Sequence, residues 1–188
     1  MKSILIISGL PRSGTSMMMR MIDAAEIPIL MDNIRKADDD NLKGYYEFER
    51  VKKLVTDREW LPQAEGKAVK VISWLLKYLP DNYKYKVIFM RREINEILAS
   101  QRKMMERRGE KDDNIPDEKM AEQYNLHLEQ MDTWMKAQSN IESIYVNYND
   151  TLKNPKETAS RISDFLDLKL DIKKMAETVD ISLYRQRR

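Results

Sequence analysis

The sequence predicts an α/β protein whose parallel sheet is covered by helices on both faces. Three observations carry this expectation. Short apolar runs of strand length alternate with longer helix-forming stretches. The runs are uniformly apolar instead of alternating with polar residues, as strands buried on both faces are. No Asn-Gly or similar hairpin signal joins any two of them.

Taken in order, Ser3 to Ile7 is the first strand, aliphatic and β-branched, and Ser13 to Ala25 a helix whose methionines 17, 18, 19 and 21 pack on the sheet. Residues 31–50 are polar and turn-rich, and a helix is expected over Tyr46 to Asp57. Lys67 to Ile72 and Lys86 to Met90 are the second and third strands. Ile94, Ile97, Leu98, Gln101 and Met105 recur at helical spacing and predict a helix over Ile94 to Arg107. Charged residues with Gly109 and Pro116 make 107–117 an exposed loop, followed by a long helix from Asp117 to Ser139. Ser143 to Tyr148 is the fourth strand. Asn154-Pro155 opens a helix through Phe165, and a short helix and the basic tail YRQRR follow.

At 188 residues the chain is read as one domain, 1–188, with a single sizeable core. Its formal net charge of +2 gives no global attraction to nucleic acid, so an anion site must come from local clustering. The chain has no cysteine, so it offers neither disulfides nor thiolate metal ligands. No apolar stretch approaches the roughly 20 residues needed to span a bilayer. A cytoplasmic location without membrane attachment is the expectation. The oligomeric state is left open.

In such folds ligands bind beyond the carboxyl ends of the strands. Two anion sites are expected there. The first is GLPRSGTS after the first strand, where Pro11, Arg12, Ser13, Gly14, Thr15 and Ser16 combine a nest of backbone N–H groups, a helix N-terminus, hydroxyls and a guanidinium. The second follows the third strand, where Arg91 and Arg92 precede a helix that carries Ser100 eight residues beyond Arg92. The loop lacks the lysine that a nucleoside triphosphatase keeps before its hydroxyl residue. The strands end in Ser73 and Arg91-Arg92 instead of a metal-binding aspartate, and Asp150 is read as serving its own turn. No metal is expected, and a transferring group less charged than phosphoryl suits these residues.

At these positions the sequence resembles the sulfotransferases that use 3′-phosphoadenosine 5′-phosphosulfate (PAPS). GLPRSGTS is similar to their 5′-phosphosulfate loop, in the arginine-bearing form of tyrosylprotein sulfotransferases and many bacterial relatives. FMRREINEILAS is similar to their 3′-phosphate motif, which makes Arg92 and Ser100 the implied nucleotide ligands. VNYNDTLKNPKETASRISDFLDL is similar to a stretch common in the family. The resemblance implies a P-loop-kinase-like three-layer α/β/α sandwich. It also implies transfer of SO₃ from PAPS to a hydroxyl or amine, with 3′-phosphoadenosine 5′-phosphate (PAP) as product and Arg12 steadying the leaving phosphate.

The resemblance departs at the catalytic base. Cytosolic sulfotransferases place a histidine two residues after a strand-end lysine. Lys70 matches that lysine and Ile72 stands at the histidine position. The single histidine, His127, lies in the long helix and is read as an ordinary helix residue. Tyrosylprotein sulfotransferases use a glutamate, so an acid of the segment after the first helix is expected as base: Glu47 in GYYEFE, with Asp32 behind it. Catalysis is thus assigned to Arg12, Lys70 and Glu47. Trp60 and Trp74 are read as packing residues. Two alternatives stay open: a small-molecule kinase using Mg²⁺ and ATP, and a nucleotide-binding protein without catalysis. The acceptor is not legible.

Overall fold

The computed structural model describes residues 2–32, 34, 44–109 and 115–180. Its centre is a four-stranded parallel sheet of β1 (Ile4–Gly9), β2 (Ala68–Lys70), β3 (Tyr85–Arg91) and β4 (Ile141–Asn147). The order across the sheet is β2-β1-β3-β4. The register pairs Ile7 with Lys70, Gly9 with Met90, and Arg91 with Asn147, which lines up the strand ends along one edge. The chain leaves β1 for β2 on one side, and β3 for β4 on the other. A crevice therefore opens between the ends of β1 and β3, the switch point where such sheets receive ligands.

The alternation of strand side chains divides the core in two. Ile4 and Ile6 of β1, with Val87 and Phe89 of β3, face a cluster that contains Trp60, Leu61, Ile97, Leu128 and Met135. Leu5 and Ile7, with Ile88 and Met90, face Met17, Met18, Met21, Ile22, Ala159, Ile162 and Met175. Strands apolar on both sides can be stable only between two helical layers. One layer holds α2 (Leu61–Ala64), α3 (Ile94–Arg108) and α4 (Asp117–Ala137). The other holds α1 (Thr15–Ala24), α5 (Tyr148–Lys153), α6 (Pro155–Leu166) and α7 (Ile172–Glu177). The three-layer α/β/α sandwich is thus as expected. Met17, Met18, Met19 and Met21 are all buried, and Trp60 is wholly buried against Phe48, both as core residues.

Two elements depart from expectation. In place of a helix over Tyr46 to Asp57 there is one 3-10 turn, Glu49–Lys53. The segment before it cannot coil, because Tyr46 has φ 52° and Phe48 is extended. Its backbone groups are claimed elsewhere: Lys70 Nζ donates to Tyr45 O, Asp32 N donates to Glu47 O, and Glu49 N donates to Asp32 Oδ2. Likewise Tyr148 starts a helix instead of ending β4. Asn147 Oδ1 accepts from the N–H groups of Asn149 at 2.8 Å and Asp150 at 3.1 Å, capping α5. Replacement Asn147→Ala is expected to lower stability by about 1 kcal/mol in urea denaturation. Asp150, expected in a turn, lies in the first turn of α5.

Candidate functional site

The loop from β1 to α1 is shaped by its glycines. A Cβ on Gly9 would stand 2.5 Å from Ser13 Oγ and 2.7 Å from Met90 O, and one on Gly14 would stand 2.4 Å from the Tyr148 ring. Gly14 (φ 102°) and Arg12 (φ 69°) both occupy left-handed backbone, which curls the chain into a cradle. Gly14 precedes α1 without a side-chain cap. Ser13 N bonds to Leu10 O at 3.1 Å, and among the described residues the next amide to find a backbone carbonyl is Met18 N, bonded to Gly14 O at 3.1 Å. The amides between these two therefore head the helix at its positive end, the setting that favours an anion. Ser13 Oγ is buried with no hydrogen-bond partner among the described residues.

The second cluster faces the first across the crevice. Arg92 follows β3 directly, and Ser100 lies buried on α3. Arg12 Nε donates to Ser100 Oγ at 2.9 Å, and Arg92 Nη1 donates to Arg12 O at 3.0 Å. Arg92 also stacks over the Tyr148 ring at 4.4 Å and pairs with Glu96 at 2.9 Å. Arg91, one residue earlier, turns to the opposite face. It pairs with Asp132 of α4 and lies over the Phe89 and Tyr145 rings.

At the end of β2, Lys70 Nζ donates to Ser16 Oγ at 3.3 Å, Tyr45 O at 2.9 Å and Glu47 Oε1 at 3.4 Å. Both side chains of the Lys70–Glu47 pair are largely buried, at 10% and 18% exposure. Lys70 thus ties a carboxylate to the hydroxyl that opens α1. Asp32 is used otherwise: its two oxygens accept backbone N–H groups of Ile34 and Glu49.

Compared with family models, residues 31–171 match the sulfotransferase family. The chain belongs to that family. The chain has no match by sequence among curated proteins. Its fold is similar to that of retinol dehydratase in complex with androsterone and the inactive cofactor PAP (TM-score 0.56, 16% identity, 95% of this chain and 64% of that one). The sulfotransferase domain of the Synechococcus PCC 7002 olefin synthase is also similar (0.57, 16% identity, 96% and 79%). So is mouse sulfotransferase SULT7A1 complexed with PAP (0.53, 14% identity, 100% and 66%). The chain thus spans just under two thirds of the retinol dehydratase chain.

The fold brings the expected site residues together along one edge. Pro11, Arg12, Ser13 and Gly14 form the loop, Thr15 and Ser16 open α1, Arg92 and Ser100 stand opposite, and Lys70 and Glu47 meet at the end of β2. His127 stands apart: Trp74 stacks on it at 4.4 Å, and its Nε2 lies 2.8 Å from buried Ser73 Oγ. Burial, with help from Lys77 and Arg91, lowers the His127 pKa and favours the neutral ring. Sequence reasoning missed Glu96, Asn149 and Tyr148 as members of the site. The acid four residues after Arg92 was the available signal for Glu96. The YRQRR tail lies outside the described residues. Among the described residues no helix is long and apolar enough to cross a membrane.

Proposed function

We propose that this sulfotransferase moves the sulfuryl group of PAPS to a hydroxyl or amine acceptor, with the chain 1–188 acting as one catalytic domain. The observation that carries the reading is the meeting of two donor clusters at the switch point, through Arg12 to Ser100 and Arg92 to Arg12. A nucleotide anionic at both its 5′ and 3′ positions is the ligand such a pair suits. The residues fit it: the α1 terminus has no side-chain cap, the cradle admits no Cβ, and a buried Ser13 hydroxyl lacks a protein partner among the described residues. Two structural neighbours whose complexes contain PAP support the same donor.

PAPS supplies an activated sulfuryl group and leaves as PAP. The chain's residues do the rest. Pro11 shapes the loop, while Ser13, Gly14, Thr15 and Ser16 offer donors to the 5′ end. Arg12 receives the charge that grows on the leaving phosphate oxygen as the sulfur–oxygen bond breaks. Lys70 holds Glu47 beside the loop. Glu47 takes the acceptor's proton as the new bond to sulfur forms. Arg92 and Ser100 hold the 3′-phosphate.

Thermal unfolding with added nucleotide tests the donor. PAP at about a hundred times its Kd should add about 2.7 kcal/mol of stability, and ATP with Mg²⁺ should add far less. Equal protection by the two would overturn the reading in favour of a kinase. Strong protection by PAP, with no labelled sulfuryl reaching any alcohol, phenol or amine in a broad panel, would leave a binding protein without catalysis.

A further inference from the structure

We propose that Glu96, braced by Asn149, is the positioning residue that makes the Arg92 site selective for a 3′-phosphorylated nucleotide. The inference rests on the donor reading above and adds a residue to it.

A carboxylate in a site meant for an anion works against the ligand's charge, so its contribution must be to orientation. The geometry is that of a bracket. Glu96 Oε2 accepts from Arg92 Nε at 2.9 Å, and Glu96 Oε1 accepts from Asn149 Nδ2 at 3.1 Å. The Arg92 and Glu96 side chains are 7% and 9% exposed, and a buried pair of this kind holds one geometry, unlike an exposed helical i,i+4 pair. Asn149 is itself placed by the cap that Asn147 puts on α5. The guanidinium is thereby fixed on one edge by Glu96, at Nη1 by the Arg12 carbonyl, and on one face by the Tyr148 ring. A planar fork aimed this way recognises phosphate by direction, which charge alone does not provide. Because Arg92 holds the carbonyl of Arg12, the same bracket also supports the left-handed turn of the first loop.

The test uses the full chain and two probes, PAP and adenosine 5′-monophosphate, which differ only in the 3′-phosphate. Calorimetry reads the ratio of their Kd values. Glu96→Ala is expected to shrink that ratio by about tenfold, the size of a charge-assisted hydrogen bond. Arg92→Ala should shrink it at least as much. Combining the two should add nothing further, since Glu96 acts through Arg92. Glu96→Gln should recover much of the ratio. Its carbonyl still accepts from Arg92 Nε, and its amide meets Asn149 Oδ1, a buried acceptor with no partner among the described residues, once that amide turns over.

An unchanged ratio in Glu96→Ala, equal weakening of both probes, or an additive double variant would each overturn the proposal. Should Glu96→Ala fail to fold, Asn149→Ala reads the same ratio, and a wild-type value there overturns it equally. Wild-type protein that binds both probes alike would instead overturn the donor reading itself.

Discussion

Gly14→Ala is expected to cost about 3 kcal/mol of stability in urea denaturation and to abolish protection by PAP. Two effects add. At φ 102° an alanine is strained by its own backbone. Its Cβ would also come 2.4 Å from the Tyr148 ring and 3.4 Å from Met90. The ring cannot retreat alone, because Arg92 stacks on it and is bonded to Arg12 and Glu96. The methyl group therefore disturbs both anion clusters at once. Removing the obstacle gives the internal check: in a Tyr148→Ala background, Gly14→Ala should cost distinctly less than in the wild type. Gly109→Ala is the control, since a Cβ there meets nothing within 4 Å and only the φ of 64° is affected. A Gly14→Ala protein as stable as wild type, with PAP still protective, would mean that the loop is not a tight cradle.

Glu47→Gln is the second large effect. Loss of a positioned base costs about 10²- to 10⁴-fold in turnover. The expected result is a fall of that order in acceptor-dependent PAP release. Affinity for PAP should stay within about twofold, because the nucleotide is held by other residues. The geometry makes glutamine a mild replacement, as its carbonyl can keep the contact that Glu47 Oε1 makes with Lys70 Nζ. Asp32→Asn is the comparison that separates the two acids. Both Asp32 oxygens already accept backbone N–H groups, so its replacement should loosen the segment without a comparable loss of turnover at saturating donor and acceptor. Full turnover in Glu47→Gln would remove Glu47 from the chemistry.

The fold was largely legible because Ile4 to Ile7 of β1 and Val87 to Met90 of β3 are apolar on both faces, a pattern that a sheet between two helical layers satisfies. The GLPRSGTS loop was legible for a similar reason. Its glycines and hydroxyls sit where a strand must turn into a helix, and their spacing is local. Strand lengths were less so: β1 runs on through Ser8 and Gly9, since Gly9 alone can pass so close to Met90.

What depended on distant partners could not be read from the chain. Residue type does not separate Arg91 from Arg92, and it was the resemblance, through the spacing from Arg92 to Ser100, that pointed to Arg92. The sheet separates them by sending adjacent side chains to opposite faces, one to Asp132 and the rings beside it, the other to the crevice. The helix expected over Tyr46 to Asp57 failed because Asp32, which lies outside the segment, takes the backbone carbonyl of Glu47 and the N–H of Glu49. By itself the sequence determined the layers, the parallel sheet and the glycine-bearing turn from β1 into α1, because periodicity and turn chemistry act over a few residues. The resemblance pointed to Arg92 and Glu47, and only the tertiary structure supplies the contacts that set Arg92 at the crevice and Glu47 beside Lys70. Those contacts are hydrogen bonds across 80 residues for Arg92 to Arg12 and 23 for Lys70 to Glu47, and no local pattern encodes them.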